Sequence, residues 1–384
     1  MDFQLSDEQQ MLQDSITRFV AETYDFKQRE QVLATPEGWS RKAWAGLAEL
    51  GLLALPFAEE DGGFGGGGIE MMIVMEALGR GLLVEPYFAT VVLAGGALRH
   101  GASAQQRAEL VPEIAAGERI FALAHNERGL PRHTLQARTT ASPHAGGWRL
   151  DGTKIAVIHG QNANTLVVSA VTPEGPSLFV VDRSAHGLTI EGARGYDGIP
   201  IATVVLSGVD IPATALLGPL GGGREVLERV FAEATAALVA EAVGAMAETF
   251  DTTVDYLKTR QQFGVAIGSF QAIQHRAVEM LMQLELSRSM AILAALSLDA
   301  DPLQRSRNLS AAKAQSGKAG RLIGQEAVQM HGAIGITAEY KVGHAFKRLT
   351  AIDALLGDRD WHLARLAKLG GLYGTADEGA NPSP

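Results

Sequence analysis

Two stretches of the sequence combine glycines with polar side chains in a pattern that can hold an anionic group. The first runs from Arg260 to Met280 and reads R-Q-Q-F-G-V-A-I-G-S-F-Q-A-I-Q-H-R-A-V-E-M. Because glycine allows a tight reversal that residues with a β-carbon resist, its glycines predict a corner between two helices. At such a corner Arg260 can reach outward to an anion while Phe263 and Phe270 pack beneath it. An ordinary corner without a ligand is the alternative interpretation.

The second stretch lies between Gln329 and Tyr340 and reads Q-M-H-G-A-I-G-I-T-A-E-Y. A helix that ends in His-Gly-Ala-Ile-Gly presents bare backbone to whatever approaches it. Such a helix end suits a nucleotide or a pyrophosphate. The two stretches could therefore grip different parts of one phosphate-containing ligand.

Together the two stretches resemble the signatures of the acyl-CoA dehydrogenase family of flavoproteins. In that family the first signature reads R-x-x-F-G-x-x-I-x-x-F-Q-x-x-x-H and the second reads Q-x-H-G-G-x-G. The resemblance extends from Leu5 to about Leu372. Two long motifs in the same order make a more specific signal than a single motif.

The resemblance implies an enzyme that uses FAD to desaturate an acyl-CoA thioester between its α and β carbons. In the family a carboxylate removes the α proton, a hydride leaves the β carbon for the flavin, and FAD lies where two subunits meet. An oligomer is therefore implied, and an electron-transferring flavoprotein is a possible electron acceptor. The family motifs assign Arg260 to the FAD pyrophosphate, Phe263 and Gln271 to positions beside it, and Gln329, Gly332 and Ala333 to the adenosine side.

Around the flavin ring the chain departs from the family pattern. The family usually has Thr-Glu-Pro at the start of its β domain, and here Ala124 replaces the hydroxyl that hydrogen-bonds the flavin. The family also places a Trp and then a Thr shortly after the residue that corresponds to Lys154. Ala156 and Ile158 stand at those positions in this chain. The half of the site that surrounds the ring is therefore expected to be eroded.

The catalytic base is also missing from its usual positions. Family members carry it on a C-terminal segment or on the helix before the Arg-Phe-Gly turn, and these positions fall on Gly357 and Ala234. Glu241 lies two turns beyond Ala234 on nearly the same helix face and is the candidate catalytic base. The alternative is that Glu241 is a core charge paired with an arginine. No spacing of His, Asp and Glu suggests a metal site.

This combination of retained and lost residues resembles the small subunit of the pimeloyl-CoA dehydrogenase type, whose enzymes consist of unlike chains. Two hypotheses stay open. In the first, the chain is a FAD-dependent acyl-CoA dehydrogenase subunit that is active with an unlike partner or, if Glu241 suffices, as a homo-oligomer. In the second, the chain is a non-catalytic partner that completes another chain's flavin site. Another flavin- or thioester-dependent reaction on the same fold is a more distant alternative.

The elements that must position these residues follow from the spacing of apolar side chains. Helical periodicity dominates both ends of the chain, and short apolar runs punctuated by glycine and proline lie between them. We expect an α+β multi-domain fold: an all-α domain over 1–118, a β-barrel or sandwich-like domain over 119–224, and a helical region over 225–372. The resemblance makes this last region a four-helix bundle. Residues 373–384 are expected to form a disordered tail.

Composition restricts the partners and the compartment. The chain has 384 residues, a formal net charge of −10 and no cysteine. This charge argues against a broad nucleic-acid surface and is compatible with an anionic ligand only where positive charge is concentrated locally, as at Arg260. The lack of cysteine excludes disulfides and thiolate catalysis and favours the cytoplasm. No apolar run reaches the ~18–20 residues that a membrane span requires.

Overall fold

The computed structural model describes residues 5–131 and 133–372, and the tail predicted at 373–384 lies outside them. The N-terminal part is helical, as expected. It begins with a capping box in which the side chains of Ser6 and Gln9 each accept a backbone hydrogen bond from the other residue, so two backbone groups at the helix start are satisfied. Its helices are α1 (Asp7–Thr23), α2 (Phe26–Ala34), α3 (Arg41–Glu49), α4 (Gly68–Gly81), a π-helical segment (Phe88–Ala94), α5 (Gly95–Gly101) and α6 (Ala104–Ala115).

The middle of the chain is a β domain, which confirms the expectation from the sequence. Its strands are β1 (Phe121–Ala124), β2 (Thr140–His144), β3 (Gly147–Ile158), β4 (Thr165–Thr172), β5 (Gly175–Asp182), β6 (Leu188–Arg194), β7 (Pro200–Pro212) and β8 (Leu216–Leu217). Within the described residues they form one eight-stranded sheet in the order β6-β7-β3-β2-β4-β5-β8, with β1 parallel to β4. Strands β2 and β4 pair at a single position, Thr140 with Val171, so the sheet consists of two halves joined at one point.

Long helices return after the sheet and pack around one another, which confirms the predicted helical region. They are α7 (Gly223–Thr259), α8 (Gln271–Leu296), α9 (Pro302–His331), α10 (Lys341–Ala354) and α11 (Arg359–Lys368), and the short strands β9 (Gln261–Gln262) and β10 (Val265–Ala266) lie between α7 and α8. The predicted boundary after residue 118 falls between α6 and β1. The predicted boundary after residue 224 falls in the first turn of α7.

Helix α7 carries Glu241 and leads to Arg260, and its backbone touches that of α4. A β-carbon added to Gly244 would overlap the carbonyl oxygen of Glu76, and a β-carbon added to Gly79 would overlap the carbonyl oxygen of Glu241. The two helices therefore approach to a distance that only glycine permits. This contact fixes α7 rigidly against the N-terminal domain.

Two helices are long and apolar enough to cross a membrane, judged by length and composition alone. Neither helix contains an uninterrupted apolar run of this length, because charged residues such as Glu241 in α7 and Glu285 in α8 interrupt the apolar stretches. In α7, 89% of the apolar window is buried inside the protein, as in the core helix of a globular domain. In the segment Gln271–Asp299, which contains α8, only 33% is buried. Helix α8 therefore presents an apolar face that the described part of the chain leaves uncovered.

Candidate functional site

The corner predicted after α7 is a short β-hairpin with a two-residue turn. Arg260 caps α7, and the turn between β9 and β10 is Phe263-Gly264, with φ of 56° and 80°. Positive φ at both turn residues matches the twist of the paired strands. The expectation that Phe263 packs beneath Arg260 is wrong, because this turn directs the ring into solvent and leaves it 93% exposed. Phe270, with its ring centroid 6.2 Å from that of Phe263, is also exposed.

Arg260 offers a guanidinium to a group from outside the chain. Its side chain is exposed and forms no hydrogen bond or ion pair with residues 5–131 or 133–372. Gln271, the first residue of α8, is exposed as well. A free guanidinium can form two parallel charge-assisted hydrogen bonds with a phosphate. The hairpin is therefore suited to an anionic ligand that another molecule holds.

The second motif forms the end of α9. His331 is buried, and its Nδ1 donates to the carbonyl oxygen of Ala327 at 2.8 Å. Gly332 follows with φ of 64°, and no atom lies within 4 Å of the position that a β-carbon would take. The backbone at Gly332 is therefore open to a ligand, as the sequence suggests. Gln329 and Ala333 beside it are exposed.

Stacked aromatic rings join the two motifs. Tyr256 lies one turn before Arg260 and stacks on His331, with ring centroids 4.3 Å apart. Burial lowers the pKa of His331, so its ring is neutral at pH 7. This stack places the end of α7 beside the end of α9. The structure thus brings together the exposed arginine and the open glycine backbone, which lie far apart in the sequence.

The family positions around the flavin ring converge on a space that is nearly filled. The side chains of His125, Ala156 and Ile158 line a cavity of about 40 Å³. A cavity of this volume holds roughly two or three water molecules, whereas sites for drug-sized ligands measure roughly 300 Å³ or more. The remaining side chains that line it are Phe88, Leu93, Leu123, Asn126, Phe231, Leu355 and Leu356.

A buried polar cluster fixes one wall of this cavity. Lys154 donates from Nζ to Glu127 Oε1 at 2.6 Å and to Ser169 Oγ at 3.1 Å. His125 bonds to the same Ser169 hydroxyl through Nδ1 at 2.8 Å and donates from Nε2 to the Thr134 carbonyl oxygen at 2.7 Å. Burial lowers the pKa of His125 to about 4, so the ring stays neutral. Both ring nitrogens are occupied, and this histidine serves the structure of the β domain.

The two usual base positions are closed by packing. Ala234 is fully buried on α7. Gly357 has φ of 100°, and a β-carbon at this position would overlap the ring of Trp361. A larger residue therefore needs both a strained backbone and a displaced tryptophan.

Glu241 forms a buried ion pair with Arg348. Arg348 donates from Nε to Oε1 at 2.6 Å and from Nη2 to Oε2 at 2.8 Å, and its Nη1 reaches Asp197 Oδ2 at 2.8 Å. Burial alone would lower the pKa of Arg348, but Glu241 and then Asp197 raise it above its ordinary value. The cavity beside Glu241 measures about 30 Å³. This is the geometry of the core-charge alternative, with little room for a substrate carbon at the carboxylate.

A cationic cleft opens next to the filled cavity. It measures about 430 Å³, and three arginines from three helices line it: Arg224 of α7, Arg305 of α9 and Arg365 of α11. The ring of Trp361 also lines the cleft, where it stacks on His133 with ring centroids 4.1 Å apart and lies 5.4 Å from the Arg365 guanidinium carbon. Glu228 contributes one carboxylate, which lies 3.2 Å from Arg224. Sequence analysis missed these arginines because they share no local spacing. Only the packing of α7, α9 and α11 brings them together.

The residues present therefore offer contacts to one half of a FAD molecule, whereas the space expected for the other half is nearly filled. The guanidinium of Arg260 and the open backbone of Gly332 can receive a pyrophosphate and an adenosine. The cavity at Ala156 and Ile158 measures about 40 Å³, far less than the roughly 300 Å³ of a site for a drug-sized ligand. For metals, the described residues contain no group of three or more His, Cys, Asp or Glu side chains arranged to hold an ion.

Comparison with known proteins gives the family. Residues 6–118 match the acyl-CoA dehydrogenase N-terminal domain, and residues 221–370 match the C-terminal domain of the same family. A probable acyl-CoA dehydrogenase, YngJ of Bacillus subtilis (strain 168), is 29% identical over 355 residues, covering 89% of this chain and 92% of YngJ. The ChsE4-ChsE5 complex from Mycobacterium tuberculosis contains a chain with 25% identity and a TM-score of 0.88, covering 96% of this chain and 98% of that one.

A structure of PigA in complex with FAD is 25% identical, with a TM-score of 0.89, covering 97% of this chain and all of PigA. The family descriptions and these relatives agree with the two motifs and with the helical, β and helical parts of the fold. The chain belongs to the acyl-CoA dehydrogenase family of FAD-dependent oxidoreductases.

Proposed function

We propose that this chain is one subunit of a FAD-dependent acyl-CoA dehydrogenase assembly and that it completes the flavin site of a neighbouring chain. The observation that carries the proposal is a contrast within the site. Arg260 and the open backbone at Gly332 face outward, whereas the chain's own ring cavity measures about 40 Å³. The chain can therefore hold the phosphate and adenosine of a flavin whose ring belongs to another subunit.

Each candidate residue then has a physical role toward that cofactor. Arg260 neutralises the pyrophosphate through charge-assisted hydrogen bonds. Phe263 offers an aromatic face on a turn whose geometry is fixed, and Gly332 lets the adenosine approach the backbone. When bound, FAD accepts the hydride that leaves the β carbon of the acyl group. The rest of the surface that faces the cofactor consists of Gln271, Gln329 and Ala333.

The uncovered face of α8 supports an assembly of chains. Val278, Leu281, Met282 and Leu286 are exposed and recur at helical spacing, so they lie on one side of the helix. Val265 and Phe270 are exposed just before the start of α8. An apolar stripe of this kind marks a protein–protein contact. One structural relative, the ChsE4-ChsE5 complex, is itself made of two differently named chains, which favours an unlike partner here.

A second candidate is that the chain oxidises acyl-CoA in its own site. The cationic cleft favours it, because Arg224, Arg305 and Arg365 can neutralise the phosphates of coenzyme A. In this candidate Glu241 is the base and must leave Arg348 to act. The first candidate is favoured by the small volumes of the cavity beside Glu241, about 30 Å³, and of the cavity at Ala156 and Ile158, about 40 Å³. We expect an electron-transferring flavoprotein to accept the electrons and the cytoplasm to be the compartment in either case.

The flavin content of the purified protein tests the proposal. The chain is expressed alone and also isolated, through an affinity tag, as the assembly from its native host. We expect a colourless protein in the first case and a yellow assembly in the second. A yellow protein from the chain alone, with one flavin per chain and bleaching on addition of acyl-CoA, would instead establish the second candidate.

The role of Arg260 is tested in the native assembly by Arg260→Gln. Loss of charge-assisted hydrogen bonds is worth about 1.5–3 kcal/mol, so FAD affinity should fall by roughly tenfold to a hundredfold. Arg18→Gln is the matched control, because Arg18 is an exposed arginine on α1. Equal FAD affinity in the two variants would remove Arg260 from the site.

A further inference from the structure

We propose that Leu355, Leu356 and Gly357, here called the plug, keep a flavin ring out of this chain's own pocket and that Lys313 holds the plug in place. The inference rests on the proposed function and explains why the chain supplies only one half of a flavin site. The plug is the connection between α10 and α11, so a few residues of backbone decide whether the pocket is open.

The plug fills the space next to the β domain. Leu355 and Leu356 line the 40 Å³ cavity opposite Ala156 and Ile158. Ala156 and Ile158 mark where the family expects contacts to the ring. The two leucines therefore stand where a ring would have to lie. The replacement of the family's usual tryptophan by Ala156 would by itself enlarge this space, because alanine is smaller than tryptophan.

The backbone of the plug has a conformation that must be held. Leu356 has φ of 57° and Gly357 has φ of 100°. A left-handed conformation costs a residue with a β-carbon roughly 1–2 kcal/mol, so it persists only where the surroundings impose it. The plug is therefore determined by its contacts rather than by the local preference of leucine.

Lys313 supplies the main contact. It is completely buried in α9, and its Nζ donates to the carbonyl oxygens of Asp353 and Gly357, both at 3.0 Å. These oxygens bracket the two leucines. Burial lowers the pKa of Lys313 to about 8, so the amine is still protonated at pH 7 and can donate to both.

His362 and Trp361 hold the plug from the α11 side. His362 donates from Nε2 to the carbonyl oxygen of Leu356 at 3.2 Å. Trp361 occupies the space that any β-carbon at Gly357 would need. The plug is thus held from α9 and from α11, and Lys313 is a positioning residue for it.

Flavin binding by the isolated chain tests the plug. The probes are riboflavin, which carries the ring without adenosine, and FAD, each followed by quenching of flavin fluorescence. The variant is Leu355→Ala combined with Leu356→Ala, and the control is Leu363→Ala, an exposed leucine on α11. We expect the plug variant to bind riboflavin at least tenfold more tightly than the wild type and the control to match the wild type. A folded plug variant that binds no better than the wild type overturns the proposal.

Lys313→Met provides a second measurement that keeps the volume of the side chain. Hydrogen exchange at residues 354–358 should accelerate at least tenfold, and riboflavin affinity should rise, while exchange in the core of α7 stays unchanged. Unchanged exchange at the plug would also overturn the proposal.

The two proposals fail in distinguishable ways. A wild-type chain that carries FAD by itself contradicts the proposed function and the plug together. A colourless wild type with an unresponsive plug variant contradicts the plug alone. A responsive plug variant with no effect of Arg260→Gln in the assembly contradicts the proposed function alone.

Discussion

Replacing Glu241 by glutamine separates a catalytic base from a core ion pair, because the two roles predict opposite pairs of results. The substitution keeps the size of the side chain and removes its charge. Arg348 then loses one of its two carboxylates, while Asp197 stays 2.8 Å from its Nη1. If Glu241 is a core charge, the protein loses stability and the assembly retains its chemistry. If Glu241 is the base, activity disappears.

The structure sets the size of the stability loss. Removing one partner of a buried ion pair typically costs about 3–5 kcal/mol. Because Asp197 still compensates Arg348 and glutamine can still accept one hydrogen bond, we expect about 2–3 kcal/mol for Glu241→Gln. Glu285→Gln is the matched control, since Glu285 is exposed and lies 3.5 Å from Arg288. Such a surface pair contributes roughly 0–1 kcal/mol.

Urea denaturation at neutral pH measures both variants, and turnover of the native assembly is followed below the unfolding transition. The expected result is a large shift of the midpoint for Glu241→Gln, little shift for Glu285→Gln, and retained turnover in both. A loss of stability below about 1 kcal/mol together with abolished turnover would refute the ion-pair reasoning and establish Glu241 as the base. The double variant Glu241→Gln/Arg348→Met should lose less unfolding free energy than the two single variants lose in sum, because the two residues interact directly.

Two further predictions concern stability. Burial alone would raise the pKa of Glu233, but hydrogen bonds and charges from His100 and Arg99 hold it at about 2, below the ordinary 4.5. The ionised group therefore stabilises the fold by about 3 kcal/mol above pH ~4.5, and this contribution is lost as the pH falls toward about 2. The difference in unfolding free energy between wild type and Glu233→Gln should thus be largest at pH 7 and fall below half by pH 3, and a pH-independent difference would contradict this account. Gly244→Ala should cost about 3 kcal/mol of unfolding free energy, because its β-carbon meets the Glu76 carbonyl oxygen. Gly67→Ala should cost less than about 1 kcal/mol in the same urea denaturation, because a β-carbon there makes only an ordinary contact of 3.5 Å with Glu70 Oε2.

Much of the fold could be predicted from sequence because helical and strand periodicities differ clearly along the chain. The two motifs were also visible as sequence, since each depends on residues close together in the chain. The structure adds what neighbouring residues cannot show. Phe263 points into solvent because two successive residues have positive φ, and apolar character alone suggested that it is packed.

The arginines of the cleft and the closure of the ring pocket required the structure. Arg224, Arg305 and Arg365 come from different helices, so their convergence depends on helix packing. Gly357 could be identified as a missing base by counting along the motif. The reason that no base fits there is the ring of Trp361, whose position depends on how α11 packs.

The apolar stripe on α8 has a consequence for how the chain is produced. A copy that is synthesised without its neighbour leaves Val278, Leu281 and Met282 in water. Unmatched copies of this kind tend to aggregate or to be degraded. If the neighbour is an unlike chain, as proposed above, the scarcer of the two chains sets the amount of finished enzyme, and a cell maintains it best by synthesising both chains in equal amounts.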